Sequence, residues 1–410
     1  MDDVLSRAAA LARHSDSAQH YTRTYLTPAH QAAARQIGDW MREAGMAVRT
    51  DAVGNVIGRY GQGAPLLLMG SHFDSVRNGG KYDGVLGILL PIACVAELHA
   101  RGERLPYVLE IAAFSDEEGA RFQTSFLSSR ALLQGAESIA PLLARRDADG
   151  ISFAEAMRAA GLDPERADEA RIDAKELAAY VEVHIEQGPV LLGKNAPLGI
   201  VTSIAGGSRH LVTVHGEAGH AGTVPMDMRH DALAAAAEMV LAVEQGARGD
   251  GAVGTVGLLE VRDGTGNVIP GHVSFTVDIR APRDELRAAA ESRVFARFDE
   301  IAAKRRVAIE RVKRHEVRAA PCAAWLQERL AASLVHVGAE PVRLPSGAGH
   351  DAMILAEATD VGMMFVRCGA GGVSHNPAET VTNEDVALAQ AALLEFLRRF
   401  RAPVISTSPA

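Results

Sequence analysis

The sequence predicts an α/β protein of two domains, and three features of the chain support this fold class. Apolar runs typical of buried strands alternate with helical segments up to about residue 205. Acids and histidines collect where those runs end. From about residue 206 alternating strands and Ala-rich helices follow, and buried α/β character returns near residue 320. We therefore expect one α/β domain, residues 1–205 plus 320–410, interrupted by a smaller domain, residues 206–319.

Local signals divide the first domain into elements. A helix is predicted after Thr27, because Thr27 can cap it, Pro28 suits its first turn and Gly45 can end it. A hairpin is predicted around Gly54 and Asn55, where two alternating runs meet. Buried strands are predicted at "PLLLM", "YVLEIAAF" and "LAAYVEVH", with an apolar helix at "GVLGILLPIACVAELHARG". Because sites in open α/β sheets form outside the carboxyl ends of strands, the charged groups after these runs predict a site there.

The second domain has a different order of elements. The strand "SRHLVTVHGE" precedes the helix "MRHDALAAAAEMVLAVEQGA", and the strands "AVGTVGLLEVRDG" and "HVSFTVDIRAP" follow. The helix "RDELRAAAESRVFARFDEIAAKRR" and the strand "VAIERVKRHE" complete a β-α-β-β-α-β order, which is that of a ferredoxin-like unit. A helix at "WLQERLAASLVHVG", a strand at "VGMMFV" and a helix at "NEDVALAQAALLEFLRRF" then belong to the first domain again.

The composition argues against several classes of protein. The net charge of −9 over 410 residues disfavours a nucleic-acid-binding surface, which would need a basic face. The three cysteines, Cys94, Cys322 and Cys368, are too scattered for a disulfide framework and suit a reducing cytoplasm. The N-terminus lacks a continuous apolar stretch, and the most apolar segment, residues 84–96, is short and contains Pro91. We therefore expect a cytoplasmic protein that binds neither nucleic acid nor membrane.

Acids and histidines occur at strand ends or in glycine-rich loops in five separate segments. Each segment alone has a structural explanation: a strand-end histidine is often only hydrogen-bonded, Asp83 could cap a helix, and "SDEEG" could be a solvated turn. Five such segments together are poorly explained by chance. The residues are His72, Asp74, Asp83, Glu117, Glu118, His184, Glu186 and His375.

A pair of divalent cations requires a set of side chains of this kind. Zn²⁺ and Mn²⁺ take imidazole and carboxylate ligands, and two cations need a bridging carboxylate, for which Asp83 is the natural candidate. His72 and Asp74 lie on the same side of a strand end, so Asp74 can accept from the second ring nitrogen of His72 and orient it. The adjacent Glu117 and Glu118 suit a division into one ligand and one general base.

Six motifs resemble those of the hydantoinase/carbamoylase-type amidases: "GSHFDSV", "GGKYDGVLG", "FSDEEGARF", "HIEQGPVL", "GHAGTVPM" and "GGVSHNPAE". The resemblance extends from about residue 20 to residue 400. That family includes allantoate amidohydrolases and N-carbamoyl-L-amino-acid hydrolases, within the superfamily of aminoacylases and dinuclear-metal carboxypeptidases. The resemblance implies a mixed-sheet dinuclear-metallopeptidase-like catalytic domain, an inserted ferredoxin-like domain that serves as lid and dimerisation surface, and hence a homodimer.

The resemblance also implies roles for the strand-end residues. Each metal ion would have three ligands, one of them shared: His72, Asp83 and His184 for the first ion, and Asp83, Glu118 and His375 for the second. Glu117 would be the general base that moves a proton from water to the leaving nitrogen. The two ions would be Zn²⁺ or Mn²⁺, and Co²⁺ suits the same ligands.

A substrate-binding set is implied as well. His220 would stabilise the tetrahedral intermediate, in its own or the neighbouring subunit, and Asn267 and Arg280 would grip a carboxylate, which an arginine fork can bind in bidentate fashion. Gln187 would contact the ureido group. Taken alone, His220 could be a turn residue and Arg280 a solvated strand end. His350 lies in "PSGAGHDAM", which resembles the rim of the active site, but no role is implied for it.

The predicted function is metal-dependent cleavage of a ureido C–N bond in a small ureido-carboxylate, with release of ammonia and CO₂. The motif "GHAGTVPMDMRHD" and Arg209, an extra cation that could hold a second ureido arm, favour allantoate. Arg209 could instead be an exposed strand-start residue, and the alternative is an N-carbamoyl-L-amino-acid hydrolase. An aminoacylase or dipeptidase is more distant. A metal-stabilised binding protein would not need Glu117, and a phosphoesterase would be expected to carry a phosphate cradle such as GxxxxGK[ST].

Overall fold

The computed structural model describes residues 3–249 and 251–402, which fall into two compact units. The first unit is built from three stretches of chain and the second from two. They are residues up to Thr202, Cys322–Leu344 and from Gly349 onward for the first unit, and Ser203–Pro321 and Pro345–Ala348 for the second.

The segment Pro345–Ala348 lies in the range predicted for the first domain but belongs to the second unit. The Ala205 N–H donates to the Ser346 carbonyl at 2.9 Å, and Arg280 Nη1 donates to the Gly347 carbonyl at 3.0 Å. Both bonds join residues that are more than sixty positions apart in sequence, so no local pattern could have predicted them.

The described residues form twelve α-helices: α1 (Val4–Leu11), α2 (Pro28–Glu43), α3 (Leu86–Ala100), α4 (Leu127–Gln134), α5 (Ala136–Ile139), α6 (Phe153–Ala159), α7 (Val190–Gly193), α8 (Ala232–Ala247), α9 (Asp284–Arg305), α10 (Ala324–His336), α11 (Asp351–Leu355) and α12 (Asn383–Arg399). The predicted cap of α2 is confirmed, since the Thr27 side chain accepts the His30 N–H and Pro28 opens the first turn. None of these helices is long and apolar enough to cross a membrane.

Sixteen strands and four 3-10 helices complete the described secondary structure. The 3-10 helices are Ala140–Leu142, Pro164–Ala170, Ala174–Glu176 and Met226–Met228. The strands are β1 (Ala47–Thr50), β2 (Val56–Tyr60), β3 (Leu66–His72), β4 (Val108–Phe114), β5 (Leu177–Ile185), β6 (Leu198–Ile204), β7 (Gly206–His215), β8 (Gly219–His220), β9 (Val253–Thr255), β10 (Leu259–Val261), β11 (Val268–Ile269), β12 (His272–Ala281), β13 (Ala308–Val317), β14 (Ala320–Pro321), β15 (Val342–Ser346) and β16 (Val361–Val366).

The core of the first unit is a mixed sheet, as the sequence analysis predicted. Seven of its strands follow the order β1-β2-β4-β3-β5-β16-β6. The neighbours β4, β3, β5 and β16 are parallel, whereas the pairs β1–β2, β2–β4 and β16–β6 are antiparallel. Every residue of β3, β4 and β16 is buried, as is usual for parallel strands covered on both faces. The carboxyl ends of the four parallel strands lie at one edge of the sheet, where a site is expected.

Apolar packing holds this edge in position. α3 is apolar on nearly all sides and is buried along most of its length, including at Pro91. Most of its residues belong to one extended core cluster of the unit. A second cluster, which includes Tyr25, Phe122 and Phe153, supports the helices between β4 and β5, a region for which no elements were predicted. The loops that follow β3 and β4 therefore start from strands that are held in a closely packed core.

The second unit has the predicted βαββαβ order, in β7, α8, β9 and β10, β12, α9 and β13. Its sheet follows the order β10-β12-β7-β13, and β9 also pairs with β12. Residues along β12 alternate between buried and partly exposed. Val273, Phe275, Val277 and Ile279 share one core with α8 and α9, so the intervening polar residues of β12 lie on the opposite face.

One strand of the second unit differs from the prediction. The segment 252–264 was expected to form a single strand, but it contains two shorter strands, β9 and β10, both paired with β12. Between them the Leu258 N–H donates to the Thr276 hydroxyl at 3.1 Å instead of to a backbone carbonyl. The Leu258 carbonyl still accepts the Thr276 N–H at 3.0 Å, but the register with β12 shifts by one residue between β9 and β10.

Candidate metal centre

The end of β3 presents His72 and Asp74 to the interior of the first unit. Only 2% of His72 and 1% of Asp74 are exposed. His72 Nδ1 lies 3.3 Å from Asp74 Oδ1 and 3.2 Å from the Asp74 carbonyl oxygen. Asp74 therefore orients the imidazole, and the other ring nitrogen, Nε2, faces the Asp83 carboxylate at 3.6 Å.

Asp83 lies in the loop between β3 and α3, where a glycine allows a close approach to His72. Gly84 has a φ of 65°, and a Cβ there would lie 2.4 Å from the His72 carbonyl oxygen, so only glycine fits. The two oxygens of Asp83 face different imidazoles. Oδ1 lies 3.3 Å from His184 Nε2, whereas Oδ2 lies 3.2 Å from His375 Nε2.

Two groups of three ligand-type side chains share Asp83. Within each group, one nitrogen or oxygen atom from every residue lies within 4.8 Å of the others. Asp83 Oδ1 is buried and has no hydrogen-bond partner among the described residues, as expected of an oxygen reserved for a cation. Imidazole and carboxylate donors without a thiolate suit Zn²⁺ or Mn²⁺, so the residues fit a pair of divalent cations. The groups are His72–Asp83–His184 and Asp83–Glu118–His375.

Glu117 and Glu118 follow β4 and are held by Asp74. Asp74 Oδ1 accepts the Glu117 N–H at 3.0 Å, and Asp74 Oδ2 accepts the Glu118 N–H at 3.1 Å. Glu118 Oε1 lies 3.4 Å from His375 Nε2. Glu117 forms a further group within 4.8 Å with His72 and Glu118. One aspartate thus orients an imidazole through its ring and two glutamates through their backbone.

Burial and the density of charge shift the pKa values of these groups. Burial raises the pKa of Glu117 well above its ordinary value and the pKa of Glu118 to about 7. Burial lowers the pKa of His184 to about 4. The hydrogen bond with Asp83 raises the pKa of His375 to about 9. So many carboxylates in one interior need a compensating positive charge, which bound cations would supply.

Two other loops are tied to Asp83. Asp83 Oδ2 accepts from Gln187 Nε2 at 3.0 Å and lies 3.3 Å from Ser374 Oγ. Glu379 Oε1 accepts the N–H groups of Tyr82 and Asp83 at 2.9 and 3.1 Å, and Glu379 Oε2 accepts the Ser374 hydroxyl at 2.7 Å. Glu379 therefore couples the Asp83 loop to the loop after β16.

His350, for which no role was predicted, is buried beside His184. The two rings are edge to face, with centroids 4.5 Å apart. Glu182, His184 and His350 also offer ligand atoms within 4.8 Å of one another. However, the Glu182 carboxylate accepts from Ser71 Oγ at 2.7 Å and from the Ala352 N–H at 2.9 Å. Because both oxygens already bond protein donors, we interpret Glu182 as a support for β5 and not as a ligand.

In the second unit, His220 and Asn267 lie side by side. β8 pairs with β11, with His220 opposite Val268, and the Ala221 N–H donates to the Asn267 carbonyl at 2.9 Å. Both predicted substrate-binding side chains are exposed. His220 Nδ1 accepts the Gly222 N–H at 3.0 Å, so Nε2 is the ring nitrogen left for a ligand.

Arg209 and Arg280 meet at one carboxylate on the helix-free face of the same unit's sheet. Asp278 Oδ2 accepts from Arg209 Nε at 2.8 Å, and Asp278 Oδ1 accepts from Arg280 Nε at 2.9 Å. All three residues line a cavity of about 720 Å³, together with Arg314. Three arginines beside one carboxylate make this cavity suitable for an anionic group.

The residues that sequence analysis did not identify are those that position the candidate ligands and arginines. Glu379 follows His375 by four residues, but its partner Asp83 is 296 positions away in sequence, and no local pattern connects them. Asp278 is different, because it precedes Arg280 by two residues on a strand. Period-two geometry places both side chains on one face and could have identified the pair.

Comparison with known proteins relates nearly the whole chain to one family. Residues 68–399 match the family described as Peptidase family M20/M25/M40. The chain is 42% identical over 372 residues to an N-carbamoyl-L-amino acid amidohydrolase of Geobacillus stearothermophilus, covering 90% of each chain. It is 40% identical over 433 residues to an allantoate deiminase of Arabidopsis thaliana, covering 97% of this chain and 82% of the relative. The solved structure of a hydantoinase/carbamoylase family amidase from Burkholderia ambifaria is similar, with a TM-score of 0.87, 34% identity and 96% of both chains covered.

Proposed function

The chain belongs to Peptidase family M20/M25/M40 and to its hydantoinase/carbamoylase-type amidases, and we propose that it cleaves a ureido C–N bond of a small carboxylic acid with the aid of two divalent cations. As a member of this family it is a hydrolase of carbon–nitrogen bonds. The proposed products of the ureido group are ammonia and CO₂.

One observation carries the proposal: a single buried carboxylate, Asp83, is shared between two groups of ligand-type side chains. A bridging carboxylate is the feature that a two-cation hydrolase requires and that a structural site with one ion does not. The orphaned Oδ1 of Asp83 supports the same conclusion. No cysteine belongs to either group, which favours a catalytic over a structural metal site.

The proposed first cation is held by His72, Asp83 and His184, and the second by Asp83, Glu118 and His375. Zn²⁺ and Mn²⁺ suit these ligands, and Co²⁺ is also compatible. Bound there, the cations would act as Lewis acids toward the ureido carbonyl and toward water.

Glu117 is proposed as the general base. Its carboxylate lies beside His72 and Glu118 but belongs to neither of the groups that share Asp83, so it is left to carry a proton. An oxygen of Glu117 takes a proton from the attacking water and later delivers it to the leaving nitrogen. Its backbone N–H bond to Asp74 holds it in place during both transfers.

The second unit is proposed to bind the rest of the substrate. Arg280 and Asn267 bind the substrate carboxylate, and His220 stabilises the oxyanion of the tetrahedral intermediate. Gln187 of the first unit binds the ureido group, and its amide already lies next to Asp83 and His375. We also propose that the inserted domain serves as a lid and forms a homodimer.

Allantoate is the proposed substrate. It carries two ureido arms, and Arg209, beside Arg280 in the cavity, offers a second cation and donor set for the second arm. A specific observation favours the alternative, an N-carbamoyl-L-amino acid, because the chain is as similar to an amidohydrolase of that type as to allantoate deiminases. The difference between the two substrates lies in the second arm alone.

Ammonia release by the purified, Mn²⁺-loaded protein tests the proposal. Allantoate, an N-carbamoyl-L-amino acid and N-carbamoyl-β-alanine should be compared side by side, with metal content measured on the same samples. We expect the highest kcat/KM with allantoate. Activity confined to the N-carbamoyl-L-amino acid would overturn the choice of allantoate, and activity on none of the three would overturn the ureido assignment.

A further inference from the structure

Asp278 holds two arginines with one carboxylate on the helix-free face of the second unit's sheet. β12 pairs with β7 in a register that places Asp278 directly opposite Arg209. Arg280 follows Asp278 by two residues and therefore lies on the same face. On β7 the residue opposite Arg280 is Gly207, which has no side chain, and on β9 it is Val253. The two strands alone bring all three charged groups together.

The hydrogen bonds that Arg280 makes within the protein leave two N–H groups of its guanidinium for a ligand. A guanidinium has five N–H groups. Nε and Nη2 donate to the two Asp278 oxygens at 2.9 and 3.5 Å, and Nη1 donates once to the Gly347 carbonyl at 3.0 Å. Within the described part of the chain, two N–H groups remain, one on each terminal nitrogen. That pair is the one that a carboxylate accepts in an end-on bidentate contact.

The Asp278 carboxylate and the arginines around it keep their charges. Burial alone would raise the pKa of Asp278, but hydrogen bonds from Arg280 and Arg209 lower that pKa below its ordinary value, so the carboxylate stays ionised at neutral pH. Arg314 lines the same cavity and lies at a bulge in β13, where the register with β7 shifts between Lys313 and His315. The cavity thus keeps an excess of positive charge.

We infer that Asp278 is a positioning residue for substrate binding: it orients Arg280 so that its two remaining N–H groups receive the substrate carboxylate. The inference rests on the proposed function, in which Arg280 binds that carboxylate. Without Asp278, Arg280 would keep its charge but lose the side-on contact that sets the plane of its guanidinium. Asp278 does not touch the substrate, so its loss should weaken binding and leave the chemical step unchanged.

The test compares a substrate with its carboxamide analogue, which has the same ureido group but no carboxylate. For the metal-loaded Asp278→Asn variant we expect KM for an N-carbamoyl-L-amino acid to rise about tenfold, with kcat little changed, since charge-assisted hydrogen bonds are lost. KM for the carboxamide should not change. Asp299→Asn is the matched control, because Asp299 also pairs with an arginine, Arg311, at 3.2 Å but does not line the cavity.

A double-mutant cycle completes the test. In an Arg280→Lys background, Asp278→Asn should add little to KM, because the group it orients has already been replaced. Equal losses with acid and carboxamide, or full additivity in the cycle, would overturn the role of Asp278. A wild-type enzyme that hydrolyses neither ureido acid would overturn the proposed function and this inference with it. A wild-type enzyme active on the acid, with no change in Asp278→Asn, would overturn this inference alone.

Discussion

The metal centre of the first unit and the arginine cavity of the second present charge in opposite ways. His72, Asp83 and His184 are 2%, 5% and 1% exposed, and every one of them contacts another member of the site. In the cavity, the side chains of Arg209 and Arg280 are 58% and 34% exposed. The first is a largely buried cluster of acids and imidazoles, in which His375 is half exposed, and the second is a cationic surface.

This difference predicts how the two regions respond to substitution. A buried polar group without its partner costs about 1–3 kcal/mol, whereas an exposed group can bond water instead. Changes around Asp83 should therefore affect metal binding and turnover strongly. Changes around Asp278 should affect KM moderately. If substitutions around Asp278 had larger effects than those around Asp83, the assignment of chemistry to one unit and of substrate binding to the other would be wrong.

The largest effect is expected at Glu117. Glu117→Gln should lower kcat about 1,000-fold, because the amide cannot carry a proton, while the content of bound metal stays the same. Ammonia release and elemental analysis of one preparation measure both quantities. Glu186→Gln is the control, since Glu186 follows β5 as Glu117 follows β4, but its carboxylate accepts the N–H groups of Val190 and Leu191 in α7. Full turnover by a metal-loaded Glu117→Gln variant would refute the assignment of the base.

Glu379 tests whether metal affinity depends on the coupling of two loops. Glu379→Ala should weaken metal binding by about 10- to 100-fold, as is usual when a residue that orients a ligand is removed. Competition with a chelator measures the affinity directly. Gly80→Ala should act in the same direction, because a Cβ there would lie 2.1 Å from the Glu379 carboxylate. Glu384→Ala, at an exposed position of α12, is the control, and an unchanged affinity in Glu379→Ala would show that the coupling is unimportant.

Acid should weaken the interior of the first unit through His30. This imidazole stacks on Phe73 and bonds the Ser115 carbonyl at 2.8 Å, and burial lowers its pKa to about 4. A lowered histidine pKa means that the unfolded chain binds the proton first, so stability present above pH 6.5 is lost as the pH falls toward 4. Between pH 7 and pH 5 the loss should be about 2 kcal/mol.

Urea unfolding of wild type and His30→Gln at both pH values measures that loss. The variant should be less stable at pH 7 but should lose about 2 kcal/mol less on acidification, since glutamine does not titrate. The other titrating groups are common to both proteins and cancel in the difference. His336→Gln, at a half-exposed imidazole, is the control. Parallel pH dependences for wild type and His30→Gln would contradict the prediction.

The smallest effect is expected at Arg209. Arg209→Gln should raise KM for allantoate about three- to tenfold and raise KM for an N-carbamoyl-L-amino acid less, because both lose the bond from Arg209 to Asp278 but only allantoate has a second ureido arm to lose a contact. Arg311→Gln, which removes an ion pair outside the cavity, is the matched control. An equal rise for both substrates would remove the structural reason for preferring allantoate.

Local patterns were sufficient for much of the fold and for the candidate ligands. The α2 cap, the hairpin between β1 and β2 and the buried strand β3 were predicted from neighbouring residues, because capping, turns and periodicity are local properties. The candidate ligands were identified from residue type at strand ends. The division of the segment 252–264 into two strands was not predicted, because it follows from a shift of register against β12, which is another strand.

The sequence by itself determined which side chains are available for metal chemistry and which family the chain belongs to. Only the tertiary structure decided how they are used: which oxygen of Asp83 faces which imidazole, that Asp74 serves three residues at once, and that Glu379 reaches the Asp83 loop across 296 positions. The physical reason is the range of the forces involved. Helix and strand periodicity are set by residues a few positions apart, whereas a hydrogen bond between loops depends on how whole elements pack.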